Sequence, residues 1–172
     1  CNSIYLRQIM QQYAAGKSDD LAYRLARRNA HNADAALSTT LANMLMEPGH
    51  FRKEADVGFR FLVLSHTLLS YLSGLGAHRG TELPAQVREQ LIDGAGVKLA
   101  ASIDEIAQGL ASKQPIAIQS DEEEALASEL EQMPDEIDEG QRLVQTQLGL
   151  ICRQLGPLRT LAAHLIKETS EA

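Results

Sequence analysis

Apolar positions recur along this chain at intervals of three and four, the spacing that gathers side chains onto one face of an α-helix, and no stretch alternates with the two-residue period of a strand. One stripe runs Tyr23, Ala26, Ala30, Ala33, Leu37, Leu41, Met44, and a second runs Val87, Leu91, Ala95, Leu99, Ile103, Ile106, Leu110. A third, Val144, Leu148, Ile151, Leu155, Leu158, Ala162, Leu165, has the alternating four-three spacing of a bundle seam. Breakers divide the pattern. Asn2 to Ala15 is a first helix closed by Gly16, and Ser18, Asp19 and Asp20 offer caps for a second that stops at Glu47-Pro48-Gly49. A third helix spans Phe51 to about His78, and a fourth runs from Pro84 to about Ser112, before Pro115. A short helix over Asp121 to Gln132 precedes Pro134, and a last one runs from Glu139 to about Lys167.

The third helix is apolar on more than one side: Val57, Phe61, Leu64, Leu68 and Leu75 form one stripe, with Phe59, Leu62, Val63 and Leu69 beside it. Such a helix belongs in the middle of a bundle. Pro157 removes a donor inside the last helix and predicts a kink or break at Leu155-Gly156-Pro157. The expected fold class is therefore all-α: a helical bundle of about five to six helices, with a central apolar third helix and a Pro-kinked last helix. All aromatics lie between Tyr5 and Tyr71, which puts the expected best-packed part of the core at the N-terminal end.

Composition narrows the reading. With 172 residues, 44% hydrophobic and 23% charged, the chain suits a single globular domain over residues 1–172. Aromatics are only 4% and Trp is absent, so the core must be aliphatic. The net charge of −7 is uneven: residues 1–80 hold nine Lys or Arg against six Asp or Glu, and residues 81–172 hold seven against seventeen. Ten of those acids fall between Asp121 and Glu139 without one base, so residues 113–139 are expected to form an acidic, loosely ordered connection on the solvent side. An acidic chain without a basic stripe argues against nucleic acid as a partner. The longest apolar stretch, Phe61 to Ala77, is interrupted by Ser65, His66, Thr67, Ser70 and Ser73, so no membrane span is expected within this chain. It does not begin with Met and shows no signal peptide, which suggests a fragment or processed product. Cys152 lies in an apolar register and reads as a small buried hydrophobe; Cys1 is terminal, and a lipid-anchored lipoprotein adaptor beginning at that cysteine is one alternative.

Chemistry concentrates on the second helix. Arg24, Arg27, His31, Asp34 and Ser38 follow one another at three or four residues along one edge, with Arg28 and Asn32 alongside. Two accounts stay open. The edge is either a charged flank whose Arg stems cover neighbouring apolar groups and whose charges pair locally, or a site where planar guanidinium groups recognise a carboxylate, a phosphate or a partner's acidic loop. His31 and Asp34 are within reach of each other, as are Asp20 and Arg24. His66, among Phe59, Leu62, Val63 and Leu69, is expected to be a core histidine bonded to a nearby acceptor. His78 and Arg79 are expected to complement the negative end of the third helix, with an interface role as the alternative. No metal is expected, because the Glu-x-x-His pairs of carboxylate-bridged metal bundles are missing. No cofactor is expected either. Without a G-x-S-x-G elbow, a P-loop or a dinucleotide turn, the chain reads as a non-enzyme.

The stretches DDLAYRLARRNAHNADAALSTTLANMLMEP and FRFLVLSHTLLSYLSGLGAHR resemble the soluble C-terminal region of the YccS/YhfK branch of the fusaric-acid-resistance-like (FUSC) inner-membrane proteins of bacteria. Leu21 to Arg79 carries the resemblance most specifically; it weakens through the acidic segment and returns around Gln147 to Leu165. The resemblance implies a domain on the cytoplasmic face of the inner membrane that assembles or regulates an efflux transporter of small organic, often aromatic, acids. Its partners would be its own transmembrane half, other copies of itself or a small anionic solute, met by Arg24, Arg27, Arg28, His31 and Asp34. A free-standing helical module that binds an anion or a partner protein remains the alternative from a different class.

Overall fold

The computed structural model describes residues 1–16, 20–46, 52–132, 134 and 138–171; among these residues the chain is helical and no strand occurs. The helices are α1 (Asn2–Ala15), α2 (Leu21–Met46), α3 (Arg52–Ala77), α4 (Ala85–Arg88), a π-helical stretch (Glu89–Gly96), α5 (Val97–Ser112), α6 (Asp121–Glu131) and α7 (Glu139–Glu171). The all-α bundle expected from periodicity is the fold observed.

The ends of the helices follow local chemistry. α1 stops where Gly16 takes φ 83°, a left-handed value that a side chain disfavours. Asp20 caps α2, its Oδ1 accepting the Ala22 N–H at 2.8 Å. Ser18 and Asp19, the other expected caps, lie outside the described residues, as do the Glu47-Pro48-Gly49 stop and Phe51. Ser120 caps α6 by accepting the Glu123 N–H at 3.3 Å, and Asp138 caps α7 through the Gly140 N–H at 2.9 Å. The expected fourth helix is continuous from Ala85 to Ser112 but has a wider turn across Glu89–Gly96. Gly96 sits there because a Cβ would come within 2.3 Å of the Met10 sulfur, so α1 lies almost on its backbone.

The core joins α1, the first half of α2, the C-terminal half of α3, the π-helical stretch, α5, α6 and α7 around fully buried Tyr5, Leu6, Ile9, Leu72, Leu75, Ile92, Leu99, Leu148, Ile151 and Leu155. α3 lies along α7 as the central pair, and α7 also packs on α5 and α6. α7 runs through Pro157 without a break. Cys152 is buried, as its register implied, and burial pushes its thiol up to about 11.

Three features differ from expectation. First, α2 leans on the bundle only through Tyr23, Ala26, Ala30 and Leu41; Ala33 is exposed, and Leu37 and Met44 are half-buried. Second, α3 is fully buried only in its C-terminal half, by residues from both apolar stripes, and not around its whole circumference. Leu68, Leu69, Leu72 and Leu75 face inward, while Phe59 and Val63 remain 51% and 48% exposed. Third, the acidic stretch is not all on the solvent side. Within it α6 packs against α7, burying Leu126, Ala127 and Leu130 together with Glu123. Glu123 is inside because Arg159 of α7 meets it there. The Arg159 side chain, 2% exposed, holds Glu123 with contacts as short as 2.6 Å and Glu105 of α5 at 2.7 Å. Burial alone would favour a neutral guanidine, but the two carboxylates outweigh it and hold Arg159 more firmly protonated than usual.

Candidate functional site

α2 meets the C-terminal end of α3 through small residues. In the run Ser73-Gly74-Leu75-Gly76-Ala77, Gly76 is buried under two tyrosines; a Cβ there would lie 2.8 Å from the Tyr23 hydroxyl and 3.1 Å from that of Tyr5. The unpaired carbonyls at the end of α3 draw donors to this place. The Tyr13 hydroxyl donates to the Leu75 carbonyl at 2.9 Å, Tyr23 reaches the Gly76 carbonyl at 3.5 Å, and Arg79 Nη1 donates to that same carbonyl at 2.9 Å. The Arg79 guanidinium also lies over the Tyr23 ring, 4.3 Å from its centroid. Burial pushes the Tyr5 and Tyr13 hydroxyls above the ordinary tyrosine range, so both stay protonated.

This anchoring opens a pocket of about 370 Å³ lined by Asp20, Tyr23, Arg24 and Arg27 of the α2 end and by Ser73, Ala77 and Arg79 of the α3 end. The lining holds three arginines and one aspartate, so its formal charge is positive. Tyr23 and Ser73 are the hydroxyl-bearing residues of its lining, and the buried Nε of Arg79 has no hydrogen-bond partner among the described residues. Planar cations beside neutral donors suit a carboxylate or phosphate. Of the residues singled out in the sequence, Arg24, Arg27 and Arg79 come together here.

The others go elsewhere. Arg28 and Asn32 are exposed and lie outside the pocket wall, as does the exposed His78. His31 does not meet Asp34; its Nε2 lies 3.4 Å from the Ser73 hydroxyl. Asp34 instead takes His66, Oδ2 to Nδ1 at 2.9 Å. His66 is thus bonded to an acceptor as expected but is not a core residue. It shares the outward stripe of α3 with Phe59, Val63 and Ser70, and its side chain is 66% exposed. Among the described residues no group of three or more His, Cys, Asp or Glu could hold a metal ion. Asp20, Tyr23 and Ser73 were not singled out as site residues in the sequence. The signal that could have found them is the run of small residues ending α3, which lets Tyr23 and its neighbouring arginines approach.

No family model and no solved structure matches the chain. Inner membrane protein YccS of Escherichia coli K12 is 35% identical over an alignment of 176 residues, covering 99% of this chain and 23% of YccS. An uncharacterized protein of Haemophilus influenzae is 48% identical over 93 residues, 54% of this chain and 13% of that protein. Uncharacterized protein ORF2 of Neisseria gonorrhoeae is 37% identical over 78 residues, 44% of this chain and 19% of its own length. The chain thus spans less than a quarter of each of these relatives.

Proposed function

The chain is of YccS type over 99% of its length, a type associated with the inner membrane, and we propose that it is a soluble C-terminal domain on the cytoplasmic face of an efflux transporter for small organic, including aromatic, acids of the fusaric-acid-resistance-like family. Its role is assembly or regulation, without catalysis of its own. Its partners are the transporter's own transmembrane half and other copies of the domain. Among the described residues no helix is long and apolar enough to cross a membrane, which accords with a domain that works beside the bilayer.

The observation that carries the regulatory part of this reading is the convergence of Arg24, Arg27 and Arg79 on one pocket at the α2–α3 junction. An acid that reaches the domain before export would dock its carboxylate there. Docking would tie the start of α2 to the end of α3 and so stabilise one arrangement of the junction. The test is accumulation of benzoate in cells that express the full-length protein with Arg24→Glu and Arg27→Glu together. Several-fold higher retention than with the unaltered protein is expected, whereas Arg28→Glu, outside the pocket, should leave retention unchanged. Equal retention in all three strains contradicts the proposal.

A further inference from the structure

A second cavity, of about 220 Å³, lies between α2, α3, α5 and α7 beside the first turn of α1. Its wall is mainly aliphatic, with Leu37, Phe61, Leu68, Ile106, Leu110 and Leu158 among its residues, and Cys1, Asn2, Ser3 and Ser65 add polar groups. Among the described residues Asp34 is the only Asp, Glu, Lys, Arg or His on the wall. Its side chain is 16% exposed; Oδ2 is held by His66 at 2.9 Å, while Oδ1 is buried with no hydrogen-bond partner among the described residues. A buried acceptor left unpaired costs free energy that a donor from outside the protein can recover. His66 fixes the orientation of the carboxylate and leaves its second oxygen for that donor.

We infer that this cavity binds a small apolar amine, its hydrocarbon body among the aliphatic side chains and its ammonium group on Asp34 Oδ1. A negative group in a mainly aliphatic wall favours cations over organic acids, and an N–H donor both neutralises the carboxylate and fills its empty acceptor position. Size agrees: an apolar cavity of about 150 Å³ holds benzene, so the present volume takes an aromatic ring with a short alkyl arm. Site and charge are separate from those of the arginine pocket, which makes the two readings independent.

Phenethylamine and phenylacetate, similar in size and opposite in charge, are the probes. In calorimetric titrations of the 172-residue chain, phenethylamine should bind at least tenfold more tightly than phenylacetate at this cavity. Asp34→Asn should weaken phenethylamine binding tenfold or more, with helix content by circular dichroism confirming that the variant is folded. Ala33→Leu, which adds bulk at the wall from an exposed helical position, should abolish binding, and Arg24→Glu with Arg27→Glu should leave it unchanged. Should Asp34→Asn prove unfolded, the phenylacetate comparison and Ala33→Leu decide. The inference is overturned by no phenethylamine binding, by equal binding of the two probes, or by wild-type affinity in a folded Asp34→Asn or Ala33→Leu variant.

Discussion

Asp34 and His66 face each other across the α2–α3 seam, Oδ2 to Nδ1 at 2.9 Å, with the histidine on the solvent side and the carboxylate on the inner side. The pair ties the two helices near the point where α2 begins to part from the core. Because the imidazole is largely exposed, breaking it leaves no cavity. His66→Ala should therefore cost less than about 1 kcal/mol in urea unfolding, whereas Leu72→Ala, at a fully buried position on the same helix, should cost about 2–5 kcal/mol. A loss of core size at His66 would show that the seam is closed over it.

Arg159 is the charged group on which the C-terminal half depends. Removing one member of a buried ion pair leaves the other charge uncompensated, so Arg159→Ala should lower unfolding free energy by about 3–5 kcal/mol. Arg153 makes equally short contacts with Glu124 and Glu131, but on an exposed surface. Arg153→Ala should therefore leave the unfolding midpoint close to that of the unaltered chain. Denaturant titration of both variants checks the contrast.

The same cluster sets an acid dependence. The Arg159 hydrogen bond, more than offsetting desolvation, holds Glu105 below the ordinary value of 4.5. A depressed carboxylate contributes stability that is fully present above its unfolded value and is lost as pH falls through the folded one. Asp104 behaves alike: burial would raise it, but hydrogen bonds from Ser3 and Arg7 prevail and lower it below 3.8. Melting temperature should thus fall from just above pH 4.5 downwards, and less so in Glu105→Gln, which no longer titrates. An equal fall in that variant would remove Glu105 from the account.

Two glycines should respond to alanine with opposite sign. Gly76→Ala forces a methyl group against the Tyr23 and Tyr5 hydroxyls and should destabilise by about 1–3 kcal/mol, the usual cost of overpacking. Gly149, inside α7, has only the Leu130 Cβ at 3.8 Å from where its own would stand, an ordinary contact. Gly149→Ala should stabilise by about 0.5–1 kcal/mol through helix propensity alone. Thermal unfolding of the two variants separates close approach from incidental glycine.

Periodicity revealed the helices because each must bury a stripe, and the stripes of α5 and α7 are the ones found inside. It did not reveal which residues of α3 face inward. Phe59, Val63 and His66 repeat with the same spacing as Leu68, Leu72 and Leu75, and only the position of α7 distinguishes the two sets. Nor could a local charge count place Glu123 inside: its counter-charge, Arg159, lies thirty-six residues away on another helix. The arginine edge was legible as a group, but its division was not. Arg24 and Arg27 line the pocket and Arg28 does not, because Tyr23 and the small residues of α3 fix how α2 is turned.

The most direct measurement is a calorimetric titration of benzoate into the chain, into its Arg24→Glu, Arg27→Glu variant and into Arg28→Glu. Saturable one-to-one binding to the unaltered chain and to Arg28→Glu, lost in the double variant, is the expected result. Bound benzoate should also stabilise the fold by RT ln(1 + [L]/Kd), about 2.7 kcal/mol at a hundredfold excess over Kd. Absence of binding, or binding that survives the double reversal, would contradict the assignment of this pocket to an organic acid.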